Sequence, residues 1–226
     1  GDKEVNVVRL GIEWDISDET SLYVKIESGE SNTDGRNNQL VQPGLMSLST
    51  TDTLAEYKDD DIRSVSTGTG TEDFYDYEWN SVTVKLETTW ADHQIMAVFG
   101  HWEYENEWWL DVDGHPEAIL NTALFDDYDQ QTAELRILSQ TGGTVEYIAG
   151  LWYQKSDLTT RQFSPFHPLF WQAAIGLPIS VGVNIPPLAN AFLHGTGMDR
   201  NFSRESEAYS IYGQLTWNIN DRLRAI

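Results

Sequence analysis

The chain has no cysteine, only seven prolines in 226 residues, and 14 basic side chains against 36 acidic ones. Without cysteine there is no disulfide framework, no cysteine-ligated zinc and no thiol nucleophile. The formal charge of −22 argues against a nucleic-acid partner, which would need clustered Lys and Arg to displace counterions from phosphates. A helix-period stretch is missing, and so is the basic and apolar leader of a secretory signal. That last absence says nothing about compartment, because the chain opens at Gly1 almost directly on a strand pattern and stops at Ile226 inside an alternating run. An internal piece of a longer protein is therefore expected. What the chain has in quantity is aromatic side chains, nine Trp, ten Tyr and eight Phe, too many for a disordered acidic tail. The length allows one large domain or two small ones.

Apolar and polar residues alternate with the period of a β-strand in several segments. Val8, Leu10, Ile12, Trp14 and Ile16 oppose Arg9, Gly11, Glu13 and Asp15. Leu22, Val24 and Ile26 oppose Tyr23, Lys25 and Glu27, and Val82, Val84, Leu86 and Trp90 oppose Thr83, Lys85 and Glu87. The same holds for Ala133, Leu135 and Ile137 against Glu134 and Arg136, and for the runs ending at Tyr153 and Ile219. Gln94–Trp109 is extended, but its two faces are ambiguous. Seven strands are expected, at about 4–16, 20–31, 77–90, 93–109, 128–139, 144–157 and 206–219, and an eighth starts at Leu223 after the turn Asn220-Asp221-Arg222.

Short connections at Ser17-Asp18-Glu19, Ala91-Asp92 and Gln140-Thr141-Gly142-Gly143 alternate with long ones at about 32–76, 110–127 and 158–205. The short ones carry turn residues. Long structureless connections are unusual in compact soluble domains, whereas an outer-membrane barrel has short turns on one side and long loops on the other. The expected fold is all-β, an antiparallel up-and-down transmembrane barrel segment. Trp14, Trp90 and Trp217 sharpen this, since each lies on the apolar face beside a short turn. An indole suits the boundary between lipid and headgroup, so the three form part of a membrane girdle; capping the core edge of a soluble β-sandwich is the competing reading. Trp14-Asp15-Ile16-Ser17-Asp18 and Trp217-Asn218-Ile219-Asn220-Asp221 make a small internal repeat. The mixed charges Arg9, Glu13, Lys25, Glu27, Lys85, Glu87, Glu134 and Arg136 then line a lumen, where they solvate the interior or pair between strands. Lipid spans only a closed barrel, so seven strands need further strands beside them.

The segment from the third strand to the sixth resembles the barrel of TonB-dependent outer-membrane receptors. The resemblance is carried by Val98-Phe99-Gly100-His101-Trp102-Glu103-Tyr104, by Leu110-Asp111-Val112-Asp113-Gly114, by the run from Asp129 to Ile137 and by Tyr147-Ile148-Ala149-Gly150-Leu151-Trp152-Tyr153. Tyr209-Ser210-Ile211-Tyr212-Gly213-Gln214-Leu215-Thr216-Trp217 matches in the same way. About half the chain is covered. The resemblance implies a barrel of roughly 22 strands, an N-terminal plug, location in the bacterial outer membrane and active uptake of a scarce small molecule. That ligand is often an iron–siderophore complex and sometimes cobalamin, haem or a glycan, and TonB supplies the energy. Plug, TonB box and terminal aromatic strand are not in this stretch, so the implied partners are outer-membrane lipid, the rest of the barrel and plug, and TonB through a missing N-terminal part.

No residues assemble into a catalytic set, so an enzyme is not expected, and no cofactor is implied. No metal site is expected from the histidines, which lack the i, i+4 spacing of a zinc enzyme; His167 and His194 share a loop but have no third ligand. Asp59-Asp60-Asp61, Asp126-Asp127 and Asp129 offer carboxylates to calcium, but read more simply as solvated acid. The long loop 158–205 holds five prolines and a broken apolar stretch from Leu169 to Leu193, which the prolines keep from being a membrane helix. Its Phe163, Phe166, Phe170 and Trp171, with Arg161 and Arg200, are ligand-contact candidates; so are Trp108 and Trp109. Alternatively the aromatics pack the loop on itself, and the tryptophan pair belongs to an upper girdle. Two other functions stay open, a passive porin-like barrel and a soluble β-sandwich module that binds carbohydrate through exposed tryptophan.

Overall fold

The computed structural model describes residues 3–34, 73–112, 120–166, 197–220 and 222–226. They form one antiparallel sheet of eight strands in chain order. The strands are β1 (Lys3–Ser17), β2 (Thr20–Thr33), β3 (Phe74–Trp90), β4 (His93–Asp111), β5 (Asn121–Leu138), β6 (Val145–Pro165), β7 (Gly197–Asn220) and β8 (Leu223–Ala225). The short connections are turns. Ala91 and Asp92 both take positive φ, 48° and 68°, which is the geometry that matches a two-residue hairpin to the twist of its strands. Gly142 at φ 88° lets the β5–β6 turn close, with its N–H donating to Glu146 Oε1 at 2.7 Å.

The seven expected strands are all present, and the eighth begins at Leu223 as expected, but most run further than the sequence pattern shows. The connection read as 110–127 contains the first residues of β5, and that read as 158–205 contains the end of β6 and the start of β7. Apart from single residues at Ser17 and Asn220, the added length lies away from the short turns. There polar side chains stand on both faces of the strand among scattered apolar ones, so the alternation that marks a strand disappears while the backbone pairing continues.

The register puts the apolar residues on one face. One row runs Trp14, Leu22, Leu86, Ala97, Leu135, Leu151, Ile211, each opposite the next. The next row runs Ile12, Val24, Val84, Phe99, Ala133, Tyr153, Tyr209. Beyond it the same face turns polar, through His101, Gln131, Lys155 and Glu207. On β1 the apolar set reaches two rows further, to Val8, so the boundary crosses the strands obliquely, the pattern of strands tilted across an apolar band. β7 has 24 residues, a rise of roughly 60 Å at the usual tilt, whereas an apolar band is about 25 Å tall. More than half of that strand stands clear of the band.

This apolar face is bare. Ile211 is 84% exposed, Val8 73% and Trp90 70%, and Ala123 is the single buried apolar side chain among the described residues. The described strands form one sheet, not the two facing sheets of a sandwich,. Hydrophobic burial therefore has to come from a solvent of apolar chains or from neighbouring structure.

The internal repeat is structural as well. Pairing slips between Asp15 and Ser17 and again between Asn218 and Asn220, so Ile16 and Ile219 occupy equivalent bulges, each two residues after a tryptophan and just before a turn. An extra residue there raises the local twist.

Candidate functional site

The face opposite the apolar band is polar near the turns and aromatic further out. Arg9 and Glu27 stand directly opposite on β1 and β2, in the row that continues through Ser81 to Trp102, and Arg9 Nε donates to Glu27 Oε2 at 2.6 Å. Lys85 pairs with Glu87 at 3.0 Å along β3. Arg136 holds Glu134 at 2.7 Å, and the Tyr212 hydroxyl donates to the same carboxylate while accepting from Arg136 Nε at 3.2 Å. These are the expected lumen charges, and three pairs are real, two of them along one strand and one across two.

Further out lies a patch that sequence reasoning did not assemble. Tyr77 and Trp79 of β3, Trp102 and Tyr104 of β4 and Tyr128 of β5 share this face by register. Ring centroids lie 5.4 Å apart for Tyr77–Trp79, 5.2 Å for Tyr77–Tyr104 and 5.0 Å for the stacked pair Tyr104–Tyr128. Trp102 meets Tyr104 at 5.3 Å and Tyr128 edge-on at 5.5 Å. Such offset and edge contacts favour the arrangement beyond simple burial. Trp79 also donates through Nε1 to Glu27 at 3.2 Å, which ties the patch to the Arg9–Glu27 pair. The patch starts in the row beyond Phe99, so it faces the interior at a level where the opposite side of the wall is already polar.

Two glycines make room for this lining. A Cβ at Gly29 would strike the Trp79 ring, and one at Gly150 would strike the Tyr212 ring. Each ring lies flat over bare backbone, an aromatic cover for an otherwise weak strand position. Around the patch, Asp126 accepts from Asn106 Nδ2 at 3.1 Å and from Thr160 Oγ1 at 2.7 Å, Tyr128 donates to Gln130 at 2.7 Å, and Thr122 and Ser164 share a hydrogen bond of 2.8 Å. The surface offers flat π faces, hydroxyls and amides. It suits binding of a planar or amphiphilic small molecule.

The expected ligand-contact residues separate. Trp108 and Arg200 lie on this face by register, whereas Trp109, Arg161 and Phe163 lie on the other. Arg161 is paired with Asp199 at 2.9 Å, with its guanidinium 6.0 Å from the Phe163 ring. Phe166 bridges Leu120 just past the end of β6. Phe170, Trp171, His167, His194 and Asp59-Asp60-Asp61 lie outside the described residues. The three girdle candidates Trp14, Trp90 and Trp217 all stand on the apolar face beside the short turns, 60%, 70% and 50% exposed. At the far end, Asp73 precedes β3 and accepts from the Asp111 N–H at 2.7 Å. Burial, aided by the charge of Asp111, pushes the Asp73 carboxyl above its usual range despite that bond.

The fold thus defines a stretch of an antiparallel up-and-down barrel wall, with an apolar band outside and a polar and aromatic lining inside. No protein-family model matches the chain, and no curated protein does. Solved structures do match. Over 97% of its length the chain superposes on Pseudomonas aeruginosa FpvA bound to heterologous pyoverdines, with a TM-score of 0.60 and 13% identity. The ferric-catecholate import receptor Fiu from K12 E. coli gives 0.55 and 13% over 97% of the chain. The ferric yersiniabactin uptake receptor FyuA from Yersinia pestis gives 0.53 and 12% over 98%. The chain spans 28%, 32% and 36% of those three proteins, respectively. At such identities the likeness is one of fold: the chain has the architecture of a part of those proteins about a third of their length.

Proposed function

We propose that this chain is part of the barrel of a TonB-dependent receptor in the bacterial outer membrane, serving active uptake of a scarce small molecule such as an iron–siderophore complex. The observation that carries the reading is the two-sided wall, in which a bare apolar band faces out and the Tyr77, Trp79, Trp102, Tyr104 and Tyr128 patch faces in above it. The fold likeness to pyoverdine-bound FpvA and to the ferric-siderophore receptors supports this choice of ligand class. Trp14, Trp90 and Trp217 anchor the wall at the lipid boundary nearest the short turns. The aromatic patch contacts ligand entering from the long-loop side, with Trp108 and Arg200 beside it on the same face. Phe163 and Phe166 belong to the rim. Lipid, the rest of the barrel, a plug and TonB are the partners.

The test is uptake of radiolabelled ferric siderophores by iron-starved cells carrying the full-length protein, with and without TonB. Uptake that needs TonB and falls about tenfold in a Trp102→Ala, Tyr104→Ala double variant is expected, since losing two aromatic contacts costs about 1–3 kcal/mol. Uptake of many small solutes that ignores TonB would make the protein a passive porin instead.

A further inference from the structure

On the outward face, the second row beyond the apolar band holds carboxylates set directly against one another. Glu103 of β4 faces Asp129 of β5, which faces Asp157 of β6, which faces Glu205 of β7. Like charges directly opposite on neighbouring strands destabilise a sheet. Lys155 approaches Asp157 at 3.6 Å, but the neighbour that Glu103 and Asp129 share is a histidine. His101 Nε2 lies 3.4 Å from Glu103 Oε2, and Nδ1 lies 3.4 Å from Asp129 Oδ2. Asn80 Nδ2 donates to the other Glu103 oxygen at 3.2 Å.

We propose that His101, Glu103 and Asp129 form a binding site for a divalent transition-metal ion of the zinc class on the outer wall of the barrel. One ligand atom from each residue lies within 4.8 Å of the other two. Donors around a tetrahedral ion held at about 2.0–2.1 Å are about 3.3 Å apart, so small rotations of side chains that are 29%, 50% and 38% exposed bring them to the ion. The two 3.4 Å contacts involve different ring nitrogens, so on binding one nitrogen turns to the metal and the carboxylate beside the other leaves that nitrogen to ligate the same ion. Imidazole with two carboxylates favours zinc, copper or nickel over magnesium and calcium, which take oxygen donors. A dication also cancels both carboxylate charges, which a protonated His101 alone does not. Two residues come from one strand at i, i+2 and the third from the next strand, so the backbone ladder holds the site and no loop has to order around the ion.

The site follows from strand register and is independent of which ligand the barrel carries. The experiment is zinc titration by calorimetry on full-length, chelator-treated protein in detergent, with cobalt absorption as a second probe of coordination. The wild type is expected to take up one more equivalent than His101→Gln, and Glu103→Gln and Asp129→Asn are expected to weaken that equivalent about 10–100-fold. All three changes are on exposed or half-exposed side chains, and heat-modifiable gel mobility confirms that each variant is folded. Stoichiometry and affinity unchanged in folded His101→Gln, or no zinc uptake by the wild type, would overturn the proposal and leave His101 as an ion-pair partner only.

Discussion

Replacing Leu215 with arginine tests the membrane-facing assignment at its centre. Leu215 sits midway along the apolar part of β7, opposite Tyr147, and 57% exposed in the sheet. Its neighbour Gln214 is also exposed but points to the other face. In a sheet bathed by water on both sides the two arginine variants would differ little. In a barrel wall, arginine on the lipid face at mid-depth costs about 2–4 kcal/mol, while a lumen position costs little. Taking about 3 kcal/mol, the ratio of folded to unfolded protein falls roughly 150-fold for Leu215→Arg and stays within a few-fold for Gln214→Arg. Glu205→Arg, on the same face as Leu215 but beyond the band, should be neutral or stabilising, because Asp157 is opposite it. The assay is urea-dependent folding of the full-length protein into phospholipid vesicles, read by tryptophan fluorescence and heat-modifiable mobility. Equal costs for Leu215→Arg and Gln214→Arg, within about 1 kcal/mol, would refute the assignment of faces.

Gly150→Val should destabilise by about 1–3 kcal/mol despite the better strand propensity of valine, because the Tyr212 ring must leave its place and release Glu134. Most of that loss should vanish in a Tyr212→Ala background, as a double-mutant cycle in urea would measure; additive costs would mean that the ring does not cover the glycine. Asp73 gives a pH signature. Its carboxyl is raised in the folded state, so the folded protein holds this proton more tightly than the unfolded one. Its contribution to stability is therefore fully present below the unfolded value of about 3.9 and falls as pH rises through the folded value. Asp73→Asn keeps an acceptor for the Asp111 N–H and has no charge to bury, so it should gain on the wild type at neutral pH and not at pH near 3; urea midpoints at the two pH values check this.

Strands were legible in the sequence only where their two faces meet different media. Along β4 the outward residues Ile95, Ala97 and Phe99 are apolar, but beyond His101 the apolar residues are the inward ones, Trp102, Tyr104 and Trp108, and the outward ones are Glu103, Glu105 and Glu107. No bulge occurs between them. The phase of the alternation reverses because the outer medium changes, and a reading that assumes one apolar face calls such a strand ambiguous. That reversal was the available signal for both the aromatic patch and the edge of the band. In β6 the residues from Leu158 to Pro165 look like loop because polar side chains stand on both faces. The pairing of Glu103 with Asp129 could not be found from spacing along the chain, since it depends on the register of two strands.

The acidic extension of the wall also bears on how such a sheet enters a bilayer. With the short turns and their tryptophans kept on the side of entry, the far ends of β4 to β7 lead the way, carrying Glu103, Glu105, Asp127, Asp129, Asp157 and Glu205 through hydrocarbon before any apolar row reaches its final depth. An ionised carboxylate resists that passage, and so does an unpaired backbone. Translocation is then governed by charges that contribute nothing to the lipid contact of the finished wall, and paired hairpins cross more readily than single strands. Speed of insertion and depth of the final energy well are set by opposite ends of the same strands.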